Sequence, residues 1–247
     1  MPLPGLVLVH GGAHAADCWD LTVAELHRQE PRLKVLAVDL PGRRGKQGDL
    51  STASIRQWVD SVVDDIEHAD LGQVVIVGHS LAGVTVPGVV ARLGASRVRE
   101  MVFAAAFVPP QDSAVIDTLG GPLAAFARRS AATGKPMKLS RVLARYAFCN
   151  GMTRDQRAFT LSRLYAESAC IGVEPVDRSN LPTAVSRTWI LTTRDRALSI
   201  SSQQASIAAL GGVQTVIPIH ACHDVMISHA RELAVMLVDR CRATAAA

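Results

Sequence analysis

Residues 74–83 read Val-Val-Ile-Val-Gly-His-Ser-Leu-Ala-Gly, and no other segment narrows the possible folds as much. A β-branched run of this kind is a buried strand. It breaks at Gly78-His79-Ser80-Leu81-Ala82, where small residues flank a serine, and apolar residues 84–93 then continue as a helix. A strand that turns through Gly-x-Ser-x-small into a helix reads as a nucleophile elbow. Such a turn lifts the Ser80 hydroxyl to the C-terminal edge of a sheet, at a helix N-terminus whose unpaired N–H groups can hold an anion. Position 82 is alanine, so the strict Gly-x-Ser-x-Gly form is missed by one methyl group.

Five further apolar runs fall at residues 6–9, 35–38, 101–105, 188–191 and 215–217. None alternates apolar with polar residues, which is the pattern of a parallel sheet covered on both faces. Helical periodicity lies between them, over about 51–69, 81–93, 200–210 and 227–243. The expected fold is therefore α/β, a mostly parallel six-stranded sheet with helices on both faces. Residues 108–182 carry helical patterns near 114–130, 138–147 and 153–170, with no convincing strand. Pro109-Pro110 and Leu181-Pro182 punctuate the ends of this stretch. It is expected to be a helical cap inserted into a core formed by 1–107 and 183–247.

At 247 residues the chain can bury a substantial core, and nearly half its residues are apolar. No apolar run is long enough to span a bilayer, and the first residues lack a basic segment followed by an apolar one. The expectation is a cytoplasmic protein with no membrane partner. The net charge of +4 is dispersed apart from small clusters such as Arg43-Arg44, so no nucleic-acid partner is expected. Five cysteines without CxxC spacing read as reduced thiols, and no metal or cofactor is expected. Monomer and homodimer are equally compatible with the sequence.

A serine hydroxyl needs a base, and the base needs an orienting group. On an elbow the acid and the histidine follow later strands in that order. Asp195 follows the fifth apolar run and His223 the sixth. Asp112, after the fourth run, is the main alternative acid, with Asp117 and Asp177 behind it. His220 lies too close to the strand end and His229 too far into the last helix, while His79 points away from the turn. Two backbone N–H groups are needed for a developing oxyanion. Leu81 N–H and Gly12 N–H are the candidates, with Gly11 in reserve. His10 and His14 brace that loop, and His14 with Gly11 is also placed near the substrate. Phe107, Phe126, Met137, Tyr146, Phe148 and Tyr165 are candidate pocket residues.

Taken in order, Val9-His10-Gly11-Gly12-Ala13-His14 with Cys18-Trp19, Ala37-Val38-Asp39-Leu40, Val77-Gly78-His79-Ser80-Leu81, Phe103-Ala104-Ala105-Ala106-Phe107-Val108-Pro109, Asp195 and His223 resemble the α/β-hydrolase superfamily. Within it the chain resembles the plant methylesterase and hydroxynitrile-lyase group and its bacterial esterase relatives. The lyases of that group carry threonine where this chain has Gly11 and lysine where it has Asp224. Their absence argues against cyanohydrin cleavage. The resemblance implies a serine hydrolase acting on a small, largely apolar ester. The alternatives are the same machinery turned to a biosynthetic intermediate (lactonase, thioesterase, cyclase or C–C lyase) and a ligand-binding protein without turnover.

Overall fold

A computed structural model describes residues 2–245. The six apolar runs form one sheet: β1 (Gly5–Val9), β2 (Val35–Val38), β3 (Val74–His79), β4 (Val98–Ala104), β7 (Ser186–Thr192) and β8 (Thr215–Ile219). Their spatial order is β2-β1-β3-β4-β7-β8, and every pairing is parallel. Every residue of β1 and β3 is buried. The edge strand β8 is half exposed and carries Pro218, which an edge tolerates.

Chain direction assigns the helices to faces. The step from β1 to β2 runs one way along the sheet and all later steps run the other way. Right-handed crossovers therefore put α1 (Asp20–Gln29) on one face. By the same rule α2 (Ile55–His68), α3 (Val86–Leu93) and α9 (Ile200–Ala209) lie on the opposite face. The final helix, α11 (Ala230–Ala245), packs on α1, and α2 packs on α3. The strand order reverses at β1, so the crevice above the C-terminal ends of β1 and β3 is where such a sheet offers a site.

The stretch between β4 and β7 differs from the expectation in detail. The pattern at 114–130 is two helices, α4 (Val115–Thr118) and α5 (Gly121–Thr133), because Gly120-Gly121-Pro122 interrupts the hydrogen bonding. The next helices are α6 (Arg141–Phe148) and α7 (Arg154–Ser162). The stretch also contains strands, contrary to expectation. β5 (Met137–Lys138) pairs antiparallel with β6 (Ala166–Glu167), and α8 (Ala169–Val173) follows. Two-residue strands have no periodicity to detect. The final helical pattern likewise divides, into α10 (Val225–Ser228) and α11, with His229 between them rather than inside a helix.

The elbow explains which small residues are obligatory. A Cβ on Gly78 would lie 2.8 Å from Val86 Cγ2, and one on Gly83 would lie 2.1 Å from the Phe107 carbonyl oxygen. The methyl of Ala82 is buried without conflict. Glycine is thus demanded at 78 and 83, and position 82 tolerates a side chain. Gly83→Ala should lower unfolding stability by at least about 2 kcal/mol in urea titration, because backbone on both sides must move. Gly72→Ala, where an added Cβ meets nothing within 4 Å, should change it by less than about 0.5 kcal/mol. Equal effects would contradict this account of the elbow.

Candidate active site

Ser80 closes the turn after β3 with φ at 50°, a left-handed conformation costly for a residue with a Cβ. The Ser80 carbonyl accepts the Phe107 N–H at 2.9 Å, which ties the turn to the loop after β4. The one-turn 3-10 helix Ser80–Val84 leads towards α3.

His223 follows β8. Its Nε2 lies 2.9 Å from Ser80 Oγ, and its Nδ1 donates to Asp195 Oδ2 at 2.8 Å. The imidazole stacks on Phe148 with ring centres 5.2 Å apart. His79, beside the serine in sequence, donates its Nε2–H to the His223 carbonyl at 3.0 Å. The turn that presents the serine therefore also fixes the backbone of the histidine.

Asp195 lies beyond β7, and its side chain is fully buried. Four donors fill its acceptor positions. Oδ1 accepts the N–H groups of Ala197 and Leu198, both at 2.8 Å, and Oδ2 accepts His223 Nδ1–H and the Thr192 hydroxyl at 2.9 Å. Gln203 from α9 donates in turn to Thr192 Oγ1 and its carbonyl. Thr192 and Gln203 were not singled out from sequence, because neither residue type at that spacing signals support of a carboxylate. Asp112 is exposed and hydrogen-bonded to Gln111, Asp117 caps α4, and Asp177 accepts from Gln111 and Ser179. Ser199 caps α9. His220 is exposed beside Thr193 and Arg194.

The loop after β1 approaches from the other side. A Cβ on Gly11 would lie 2.7 Å from Ser80 Cβ and 2.8 Å from the His79 carbonyl oxygen. Gly11 is thus a packing requirement and does not line the pocket. Gly12, Ser80 and Leu81 do line it together. Among the described residues the Gly12 N–H has no acceptor, and Leu81 occupies the first turn of its helix, where N–H groups lack internal partners.

The pocket beside Ser80 is mainly apolar, with Phe107, Phe126, Phe148, Leu119, Leu123 and Leu198 in its wall. Tyr146 is not there. It is 49% exposed on the outer side of α6, where the Arg196 guanidinium lies 5.4 Å from its ring centre. Tyr146 and Phe148 are two positions apart in α6, a separation that puts them on different faces of the helix. Met137 sits in β5, and the Tyr165 hydroxyl donates to Asp17. Glu167 is the one carboxylate in the pocket wall. It went unnoticed because an isolated glutamate with no charged neighbour in a short segment carries no sequence signal of its own.

Four buried histidines surround the serine, and their bonding sets their charge. His14 donates from Nδ1 to the Gly12 carbonyl at 2.9 Å and from Nε2 to Asp224 Oδ2 at 3.0 Å. Burial opposes its charge, but the field and hydrogen bond of Asp224 win and raise its pKa. Burial also opposes charge on Asp224, and His14 outweighs it, so the carboxyl is held below its usual range. His14 is thus a buried brace and does not line the pocket, and Asp224 faces His14. His10 donates from Nδ1 to the Gly11 carbonyl and accepts the Leu40 N–H on Nε2, which requires a neutral ring. Burial, with Arg43 nearby, holds its pKa far down. Burial and the neighbouring His223 push His79 down to about 3. Burial pushes the Cys222 thiol, next to His223, up to about 12.

One possible ligand atom each from His79, His223 and Asp224 lies within a 4.8 Å cluster. Both ring nitrogens of His223 and Oδ2 of Asp224 are already hydrogen-bonded. Among the described residues His79 Nδ1 and Asp224 Oδ1 have no hydrogen-bond partner, and two atoms fall short of a four-ligand metal site.

A profile of the alpha/beta hydrolase family matches residues 6–235. The chain belongs to that family. It is 29% identical over 117 residues to the carbendazim hydrolyzing esterase of Nocardioides sp., a match covering 47% of this chain and 48% of that one. It is 32% identical over 87 residues to the pyrethroid hydrolase of Sphingobium wenxiniae, covering 35% and 30%. The chain thus spans about half the length or less of the curated relatives it matches. An extracellular alpha/beta-hydrolase from a Paenibacillus species superposes with a TM-score of 0.80 at 22% identity, covering 96% of this chain and 98% of that one. Among the described residues no helix is long and apolar enough to cross a membrane.

The neutral buried histidines make stability depend on pH. Unfolded His79 titrates near 6.5 and folded His79 near 3. Its contribution is complete above about pH 6.5 and is lost as the pH falls towards 3. His10 acts in the same direction. His14 acts oppositely, contributing fully below about 6.5 and losing its contribution as the pH rises through its raised pKa. With two groups against one, the thermal midpoint should fall between pH 7 and pH 5. His79→Gln, which can keep a donor to the His223 carbonyl, should make that fall shallower. An unchanged slope would contradict the assignment.

Proposed function

We propose that the protein is a serine carboxylic ester hydrolase for small, neutral, largely apolar esters. The observation that carries this reading is the unbroken hydrogen-bond chain from Ser80 Oγ through His223 to Asp195, opening onto an apolar pocket. Ser80 Oγ attacks the ester carbonyl while His223 Nε2 takes its proton. The tetrahedral oxyanion is held by the N–H groups of Gly12 and Leu81, neither of which has an acceptor among the described residues. His223 then gives the proton to the departing alkoxide, and an acyl-serine remains. Water, activated by His223, releases the carboxylic acid and restores Ser80. Asp195 keeps the proton on Nδ1 and so leaves Nε2 free to act as base. Residues 108–182 serve as the cap that shapes the pocket over a core formed by 1–107 and 183–247.

The likeness to an esterase and a pyrethroid hydrolase supports ester cleavage over other reactions of the fold. Two local features argue against cyanohydrin cleavage. No side chain fits at Gly11 without displacing Ser80, and Asp224 is committed to His14.

In p-nitrophenyl butyrate hydrolysis, Ser80→Ala and His223→Ala should each lower kcat/KM on the order of 10⁴-fold or more. Asp195→Asn should fall on the order of 10⁴-fold through the wrong tautomer, and Asp112→Asn should be unchanged. Turnover that survives in folded Ser80→Ala would refute the proposal. Loss in Asp112→Asn with retention in Asp195→Asn would reassign the acid.

A further inference from the structure

Resting on that hydrolase reading, we propose that Glu167, held by Arg43, is a positioning residue that aims the Gly12 N–H at the oxyanion. The starting point is Ala13. Its φ is 61°, a left-handed conformation that costs an alanine about 1 kcal/mol or more. Such a residue persists only where its surroundings hold it.

The surroundings come from a distant part of the chain. Ala13 N–H donates to Glu167 Oε2 at 2.9 Å, and the Ala13 carbonyl accepts the Tyr165 N–H at 2.8 Å. Glu167 and Ala166 belong to β6, which the pairings Met137–Glu167 and Lys138–Ala166 anchor to β5. The peptide unit between residues 12 and 13 is thus held at both ends. Its N–H points to Glu167, and its carbonyl accepts from His14 Nδ1. A glycine is free to rotate on either side of its Cα. Fixing this peptide unit restrains rotation about the Gly12 Cα–C bond, and the bond from His10 Nδ1 to the Gly11 carbonyl holds the far side of the unit that carries the Gly12 N–H.

Glu167 is itself fixed. Oε1 accepts Arg43 Nη2–H and the Ser168 N–H, each at 2.8 Å. Arg43 is fully buried, its Nε donates to the His14 carbonyl at 3.0 Å, and its guanidinium lies 5.8 Å from the Trp58 ring centre. The ion pair therefore grips the loop at two successive residues, through Ala13 N–H and His14 C=O. The Arg43 charge also offsets a carboxylate that would otherwise oppose an oxyanion beside it. An ordinary structural pair explains burial and bonding equally well. It does not explain why the carboxylate stands in the pocket wall, 3.2 Å from where a Gly12 Cβ would be.

The test is Glu167→Gln. An amide has one acceptor oxygen, and Arg43 with Ser168 will take it, so an NH₂ group faces the Ala13 N–H. For p-nitrophenyl butyrate, kcat should fall on the order of 10- to 100-fold with KM little changed. Inhibition by a trifluoromethyl ketone, which forms a tetrahedral adduct, should weaken by the same factor as kcat/KM. Hydrogen exchange of the Ala13 amide should quicken. Tyr165→Phe keeps its backbone bond to Ala13 and should retain kcat. If Glu167→Gln does not fold, the double variant Arg43→Met with Glu167→Leu removes both charges and should show the same kcat loss. A folded variant with unaltered kcat would overturn the proposal. So would Ala13 exchange that is the same in both proteins, a readout that needs no turnover. Wild-type protein inert towards esters would overturn the hydrolase reading instead, leaving Ala13 exchange to decide whether Glu167 holds the loop.

Discussion

The structure around the site is organised to hold one serine in a backbone conformation that serine disfavours. With φ at 50°, Ser80 projects its hydroxyl beyond the sheet edge instead of along it. Buried strand β3 anchors one side of the turn, and the Phe107 N–H bonded to the Ser80 carbonyl anchors the other. The glycines at 78 and 83 supply the room, and Gly11 lets the neighbouring loop close on the serine. His79 extends the same turn to the His223 backbone. Ser80 and His223 thus share a support.

Charge is handled inside this region by local pairing. His14 with Asp224 and Arg43 with Glu167 are two buried ion pairs that meet at the loop of residues 12–14. Each includes a residue that bonds that loop directly, His14 through the Gly12 carbonyl and Glu167 through the Ala13 N–H. Buried pairs contribute little net stability, so geometry is the better account of why they are there. The buried His10 and His79 are held neutral, which keeps stray positive charge away from His223.

Much of this was legible in the sequence, for physical reasons. Strands covered on both faces are continuously apolar, so all six were visible as runs. Ser80, Asp195 and His223 stood out because each follows such a run. What escaped is local in a different sense. α1 buries only Thr22 and Leu26 of its ten residues, too few to make a pattern. β5 and β6 are too short to have one. Buried Arg43 and Glu167 look like surface charges until their partner, more than a hundred residues away, is known. Tyr146 shows the converse error, an aromatic residue that suggested a pocket and faces outward.

The whole proposal depends on Ser80 being an activated nucleophile. It is tested most directly by treating the protein with a fluorophosphonate and mapping the adduct by peptide mass spectrometry. An activated Ser80 gives one adduct per chain, at that residue, and the adduct is lost in His223→Ala. An unmodified Ser80 in folded protein, or labelling that persists without His223, would contradict it.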